Sequence, residues 1–416
     1  MAQHGLSDRV AIISMGCTRF AEHFDRSADE LAVDAVADAL EGPGLTRDDI
    51  DAYWLGTYIS GISGIALARP LRLVGKPVTR VENMCATGSE ALRAAVYAVA
   101  CGAVDIAMAV GVEKLKDTGY AGLISPKIQD DGTRVNTSAP ANFSLLAPAY
   151  QQRYGVPPEM FRAAMTHVAW KNHANGALNP RAQFRREIPK ESIERSPAVA
   201  GELRVMDCSG VADGAAAAIV TRAEDAHTYT ATPLYIKALS LVTGDGSGAA
   251  DPSYDYTSFP EVVECAREAY AQAGITDPRR QLALAEVHDC FTPTEIVLME
   301  DLGFAGRGQA WRDVLDRVYD RDSELPVNPD GGLKSFGHPV GASGLRMIYE
   351  CWLQLRGQAG ARQVATAHRG LALTQNLGGA PGDCVCFVCV VGTKNSYAPS
   401  GTSPGRSGPS GAVRLT

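Results

Sequence analysis

Positive charge is not in excess anywhere in the totals of this 416-residue chain: 39 Lys and Arg stand against 47 Asp and Glu, a formal net charge of -8. Without an overall basic field nothing condenses on nucleic acid or on an anionic bilayer, so a polyanionic partner is disfavoured, while a local basic pocket for one phosphorylated ligand is not. The opening MAQHGLSDRV has no basic segment followed by an apolar one, so no secretory leader is expected. Long hydrophobic runs are missing too: Gly, Arg or Asp interrupts each well short of the roughly 18 residues that a membrane span requires. The ten cysteines are scattered along the chain rather than packed into a short disulfide framework, and the expected compartment is the reducing cytosol.

What is present is enough apolar sequence, 45% hydrophobic against 21% charged, for two core-sized halves. Strand-like runs at Val10 to Ser14, Tyr53 to Tyr58, Val78 to Val81 and Ile106 to Gly111 alternate with helical patterns at Asp29 to Leu40 and Ala86 to Ala100. The alternation predicts an α/β sheet with helices on its faces. From about Lys116 to Ala200 it gives way to Pro, Asn and Gln with helical turns near Ala147 to Tyr154 and Pro158 to Asn172, an insertion expected to lie over a site. It then resumes with strands at Ala215 to Thr221, Leu234 to Val242 and Ala283 to Val287, a helix at Pro260 to Ala273 and another after Thr292.

The two stretches resemble each other. A single offset, 338 less 85 or 253 residues, sets Gly88 on Gly341, Leu92 on Leu345, Arg93 on Arg346 and Cys85 on His338. If the halves are related by a twofold axis, two helix starts meet near it, one bearing a thiol and the other an imidazole. The end of the chain, KNSYAPSGTSPGRSGPSGAVRLT, is rich in Gly, Ser and Pro and is expected to be a flexible tail.

Four segments carry chemistry. Cys85 precedes a helix, where unpaired N–H groups favour a thiolate; the plainer reading is a buried structural thiol. His338 sits among glycines that allow close backbone approach, either as a base within reach of a thiol or as an incidental residue of a capping loop. His288 and Cys290, two apart at the end of an apolar strand, can face one cavity; the plainer reading is a strand end with a hydrogen-bonded His and a packed Cys, Asp289 then being an ordinary cap for the following helix. Gly378 and Gly379 expose N–H groups toward an oxyanion or simply form a turn.

Taken together, Asn83-Met84-Cys85-Ala86-Thr87-Gly88, His288-Asp289-Cys290-Phe291, Gly337-His338-Pro339-Val340-Gly341-Ala342-Ser343-Gly344 and Asn376-Leu377-Gly378-Gly379 resemble the thiolase superfamily. The likeness is to its sterol-carrier-protein-type and archaeal acetyl-CoA acetyltransferase branch and covers nearly all of residues 8 to 392. It implies a thiolase fold of two duplicated βαβαβαββ halves in a five-layered α-β-α-β-α arrangement. Residues 8–117 with 203–232 would form the first half, 118–202 the inserted loop domain, 233–392 the second half and 393–416 the tail. It implies Cys85 as nucleophile, His338 as its base, and Cys290 as the acid/base thiol, because Asn376-Leu377-Gly378 stands where other thiolases have a second Cys. The N–H groups of Cys85 and Gly378 would hold one oxyanion and His288, with His338, the other; Gly341, Ser343 and Ser247 would contact substrate. The substrates implied are coenzyme A thioesters, with no permanently bound cofactor and no metal, and the assembly a homodimer or a dimer of dimers.

Two competing readings keep the fold. One is a condensing enzyme or retro-aldolase acting with a small zinc-ribbon/OB-fold companion protein; the other is a non-catalytic acyl-CoA or lipid carrier. Decoys are set aside on context. The G-x-S-x-G at Gly401 to Gly405 lies in the expected tail, the Gly244 to Ala249 run is followed by Asp251-Pro252 where a dinucleotide fold needs a helix, and Cys384, Cys386 and Cys389 fall on two faces of one strand. Lys171, Asn172 and His173 are read as loop-domain residues near coenzyme A.

Overall fold

A computed structural model describes residues 5–118, 124–128, 134–394 and 396. Strand β1 (Val10–Cys17) is buried along its whole length. Its side chains alternate between two apolar cores, Ile12, Met15 and Cys17 into one and Ala11 and Ile13 into the other. A strand covered on both faces reads as an unbroken apolar run, which is why this one is visible in the sequence. Helix α1 (Ala28–Glu41) starts at Ser27, whose hydroxyl accepts from the Glu30 N–H while the Glu30 carboxylate accepts from the Ser27 N–H. That reciprocal pair satisfies donors the first turn would leave open.

The first half continues through β2 (Ala52–Gly56), α2 (Ile65–Leu71), β3 (Val78–Val81), α3 (Thr87–Ala100), β4 (Ile106–Glu113) and, after the insertion, β5 (Gly214–Arg222). The insertion carries a two-stranded ribbon, Ile124–Ile128 with Arg134–Ser138, and the helices α4 (Leu146–Tyr154) and α5 (Pro158–Ala177). The second half runs β6 (Leu234–Thr243), α6 (Pro260–Ala273), β7 (Leu284–Glu286), α7 (Thr292–Asp301), the short α8 (Gly332–Phe336), α9 (Ser343–Leu355), β8 (Leu371–Ala380) and β9 (Asp383–Gly392).

Strand order exposes the duplication. The nine main strands lie in the order β7-β8-β9-β6-β1-β5-β4-β2-β3. Counted within each half, this is 3-2-4-5-1 for the first and 2-4-5-1 for the second. The missing third strand survives as one parallel bridge from Ala285 to Val327. The halves join where their first strands pair antiparallel, Ala11 with Tyr235 and Ile12 with Leu234, as an approximate twofold axis requires. Helix α9 packs on strands of both halves and on α3, while α1 covers the outer face of the first sheet and α6 that of the second. The five layers are therefore α1, sheet, α3 with α9, sheet, α6.

Helices α3 and α9 occupy equivalent places, but they begin at Thr87 and Ser343, 343 less 87 or 256 residues apart. The offset of 253 is thus three residues out of register with the helix starts, and Arg93 and Arg346 are not equivalent: Arg93 pairs locally with Glu90, whereas Arg346 is fully buried against Glu286 and Asp330. Of the expected tail, Thr393 and Ser396 are held against the body, the Thr393 N–H on Gly370 O and the Ser396 N–H on Thr393 O; residues 397–416, with the Gly401 to Gly405 motif, lie outside the described residues.

The glycines of the central layer have a steric reason. A Cβ on Gly341 would stand 2.6 Å from Val112 O and 2.9 Å from both Gly56 O and Glu113 Oε2. None of these is free to retreat, because the oxygens belong to β2, β4 and a carboxylate already held by six hydrogen bonds. Gly341→Ala should therefore lower unfolding free energy by about 1–3 kcal/mol, the usual range for overpacking, read as a lower urea midpoint at unchanged slope.

Candidate active site

Three of the four segments singled out by the sequence converge at the central layer. Cys85, Cys290, His288 and His338 are all buried. One ligand-type atom each of Cys85, His288 and His338 lies within 4.8 Å of the other two, and the two imidazoles meet edge to face with ring centres 5.4 Å apart. Gly378 joins them through the backbone: a Cβ there would be 2.3 Å from Asn83 O and 3.2 Å from Met84 Cβ, so its main chain lies against the turn that presents Cys85.

That turn is conformationally unusual. Met84 has φ +49°, a left-handed backbone that costs a non-glycine residue energy and persists only where neighbours enforce it. Here the Thr87 hydroxyl donates to Met84 O at 2.5 Å and accepts from the Asn83 N–H at 2.9 Å, and Met84 N–H donates to the Glu82 carboxylate. The sharp bend sets Cys85 just ahead of α3.

Hydrogen bonds assign complementary roles to the two imidazoles. The Ser343 hydroxyl donates to Pro339 O at 2.9 Å, which uses its one proton. It must therefore accept from His338 Nδ1, 2.7 Å away, leaving a bare lone pair on Nε2. Nε2 has no hydrogen-bond partner among the described residues. His288 is the opposite case. The Ser89 hydroxyl donates to Asn376 Oδ1 at 2.9 Å, and the Asn376 amide donates to His288 Nδ1, also at 2.9 Å. With Nδ1 accepting, the ring proton sits on Nε2. One imidazole offers an acceptor and the other a donor.

This pattern bears on metal binding. A thiol and two imidazoles at such spacing match the start of a metal site, but a metal requires a lone pair from each ring, and the Asn376 bond commits the lone pair of His288 Nδ1 while protonating Nε2. The donor set suits a thiol, a base and an oxyanion donor better than an ion.

The electrostatics correct one expectation. Helix α3 does not hold Cys85 as a thiolate: burial first, then the Glu113 and Glu82 carboxylates, push its pKa up to about 12. Burial and the Arg346 guanidinium push His338 down to about 3. The pair rests as neutral thiol and neutral imidazole, so a thiolate at Cys85 requires a base to take its proton. Cys290 is raised by burial and then by Cys85, and its thiol bonds Thr294 Oγ1 at 3.8 Å. Burial, His338 and Arg346 hold His288 well below the usual imidazole range.

Other expected residues are placed differently. Gly341 and Ser343, expected to touch substrate, are buried against the protein: the Gly341 N–H donates to Glu113 Oε2 at 3.1 Å and Ser343 serves His338. Ser247 is exposed on the loop after β6 and bonds Asp245 in that loop, 2.9 Å away. Asp289 does not cap α7; it accepts from the Leu333 and Lys334 N–H groups and so caps α8, the segment leading to His338. Lys171 and Asn172 are buried, pairing with Glu295, Asp289 and Val327 O rather than facing a nucleotide. Cys384 and Cys386 pack into one core and Cys389 into another.

Sequence reasoning missed the residues that hold the site in place. Ser209 N–H donates to Cys290 O at 2.8 Å and Gly210 O accepts from His338 N–H at 2.7 Å, so one extended segment aligns both. The Glu113 carboxylate collects Tyr58, Ile59, Ser60 and Gly341 N–H groups with the Thr57 and Ser60 hydroxyls, tying the loop after β2 to the start of α9.

A two-half α/β fold with a cysteine and two histidines at its seam defines an acyl-transfer enzyme of the thiolase type. Residues 10–224 match the family described as Thiolase, N-terminal domain, and residues 248–388 match Thiolase C-terminal domain-like. An acetyl-CoA acetyltransferase of Methanothermobacter thermautotrophicus is 38% identical over 388 residues, covering 91% of this chain and 98% of that protein. Sterol carrier protein 2 of Gallus gallus is 32% identical, covering 89% of this chain and 70% of that one. Among solved structures, an Ltp2-ChsH2(DUF35) aldolase matches with TM-score 0.78 at 23% identity, and human mitochondrial 3-ketoacyl-CoA thiolase with TM-score 0.66 at 18%, each covering 94% of this chain and all of the other. The chain belongs to the thiolase family and is an acyltransferase.

Proposed function

We propose that the chain is a thiolase that moves acyl groups between Cys85 and coenzyme A, cleaving 3-oxoacyl-CoA or running the same Claisen chemistry in reverse. The observation that carries this is the convergence of Cys85 with a base, His338, and a donor, His288, within 4.8 Å. In the cleavage direction Cys85 gives its proton to His338 Nε2 and its sulfur attacks the 3-oxo carbon. The new oxyanion is held by the Cys85 and Gly378 N–H groups. The carbon–carbon bond breaks, and the enolate oxygen is held by His288 Nε2–H together with the now protonated His338. Cys290 gives its proton to the α-carbon, releasing acetyl-CoA, and as a thiolate takes the thiol proton of incoming coenzyme A. That sulfur then attacks the acyl-cysteine, and the departing Cys85 sulfur recovers its proton from His338. Resting neutral thiols at both positions are what this sequence of steps needs.

An aldolase of the same fold would form no acyl-enzyme. Incubation with acetyl-CoA and intact mass measurement should show one acetyl group on Cys85; absence of that adduct, with cleavage intact, would decide for the aldolase reading and a companion protein. The Ltp2-ChsH2(DUF35) match is the observation favouring that second reading.

Ser343 is a positioning residue in this scheme. Ser343→Ala should lower kcat about 10- to 100-fold with KM little changed, the scale of a misplaced base. Ser343→Thr, which retains a hydroxyl, should recover part of it.

The domain boundaries proposed above, 8–117 with 203–232, 118–202 and 233–392, go with this reading. Ten free cysteines support a reducing, cytoplasmic setting, and no helix among the described residues is long and apolar enough to cross a membrane. A homodimer is supported by β3, the outermost strand, beside exposed Ile62 (96%), Ile65 and Met84. An unpaired strand edge next to bare apolar side chains is a surface that a second copy would cover. Ile62→Asp with Ile65→Asp should weaken a dimer by about 100-fold or more by sedimentation, since each isoleucine withheld from burial forfeits about 1.5–3 kcal/mol.

A further inference from the structure

A cavity of about 580 Å³ borders the Ser209–Gly210 segment that bonds the backbones of Cys290 and His338, and takes no part in the steps above. Arg19, Arg185 and Arg186 are at its exposed rim, Lys334 and His173 line it from within, and no carboxylate lines it. Lys334 is 3% exposed and His173 2%. The Lys334 ammonium has no ion pair among the described residues, and neither ring nitrogen of His173 has a hydrogen-bond partner. The carboxylates near Lys334 are engaged elsewhere: Asp207 takes both Arg162 nitrogens at 2.7 and 2.6 Å, and Asp289 takes Asn172 and two backbone N–H groups.

A buried ammonium without an anion is unfavourable, and so is a buried imidazole with both nitrogens unpaired. Each has its need met by the same thing, an oxyanion lying between them. Phe184 and Val205 add apolar wall on which a carbon skeleton can rest. We propose that this cavity is an anion-binding site, seating a carboxylate or phosphate of a small organic ligand on Lys334 and His173 with Arg185 and Arg186 at its mouth. Burial holds Lys334 down to about 8, and burial with the charges of Lys334 and Arg186 holds His173 down to about 3, so an incoming anion favours the charged form of both.

The location gives the site consequences. Ser209 and Gly210 form part of its wall, and their backbones hold Cys290 and His338. A ligand there presses on the segment that aligns acid and base.

Three sources supply such an anion: a phosphate of the coenzyme A thioester, a carboxylate on the acyl chain, or a free metabolite. The whole protein is titrated calorimetrically at low salt with coenzyme A, succinate and inorganic phosphate, beside Lys334→Met and the surface pair Arg185→Ser/Arg186→Ser, the latter guarding against a misfolded core variant. At least one probe should bind wild type and lose at least about tenfold in affinity in both variants, the scale of one charge-assisted hydrogen bond. If coenzyme A is the source, KM rises in the surface pair for acetyl-CoA and not for acetyl-pantetheine. If the acyl chain is the source, preference for succinyl over butyryl thioesters falls; if a free metabolite, phosphate or succinate alters wild-type rates and not the variant's. Equal binding by wild type and both variants, or no binding of any probe, overturns the site. That result leaves acylation of Cys85 and thiolysis unaffected, so the proposed activity stands or falls separately.

Discussion

Cys85→Ala is expected to lower thiolysis of acetoacetyl-CoA by at least about 10⁴-fold and to abolish the acetyl adduct, and His338→Ala to fall nearly as far. The size follows from the resting state. With the thiol pushed up to about 12 and the imidazole down to about 3, almost no thiolate exists at neutral pH. In the proposed mechanism reactivity thus resides in the proton transfer between them, and neither partner should retain much without the other. The two losses should not add: Cys85→Ala/His338→Ala should be about as slow as either single variant, because the residues act as one unit. Rates within tenfold of wild type in Cys85→Ala, measured by loss of the acetoacetyl-CoA absorbance, would remove the nucleophile from the mechanism.

How far the sequence reaches depends on the range of the interactions involved. The helix Pro260–Ala273 and strand Val78–Val81 have the bounds that their local patterns predict, because a proline start and a glycine stop in one case, and a β-branched pair in the other, act within a few residues. Cys85 and His338 are legible for a related reason: each sits in a short motif just ahead of a helix start, a local signal, although the 253-residue offset that pairs them is three residues out of register with the helices. The supports are not. Glu113 is one carboxylate at the end of an apolar strand whose partners lie 53 to 56 residues before it and 228 after it. Arg346 resembles the surface pair of Arg93 until Glu286 and Asp330 are seen around it. Ser247 attracted attention because its glycine-rich loop follows a strand, while Ser209, whose N–H holds the Cys290 carbonyl, acts through its backbone and leaves no side-chain signal. The tautomers of His288 and His338 are set by Asn376 and Ser343 in three dimensions only. The pKa of Cys85 follows from burial, which overrides the helix terminus that the sequence displays.

In the proposed mechanism Cys290 separates two halves of the chemistry, and its substitution should do so experimentally. Acylation of Cys85 needs the thiol, His338 and the oxyanion donors, whereas proton transfer at the α-carbon needs an acid/base within reach of the enolate. In Cys290→Ala, acetyl-CoA should still deposit its acetyl group on Cys85. Exchange of the acetyl-CoA methyl protons for deuterium, and thiolysis with it, should fall by about 10²–10⁴-fold, the ordinary contribution of a positioned general acid or base. His288→Ala should lose the same exchange for a different reason, since the enolate then lacks a donor while the acid remains; the two are told apart by pH. Cys290 is held far up by burial and the neighbouring Cys85, so exchange in wild type, where a thiolate must accept the proton, should rise with pH across the alkaline range. His288→Ala should keep that rise at a lower rate, and Cys290→Ala should flatten it. A Cys290→Ala protein that exchanges deuterium like wild type would transfer the acid/base role to His338, whose Nε2 lone pair is open to a proton, and leave Cys290 a packing residue.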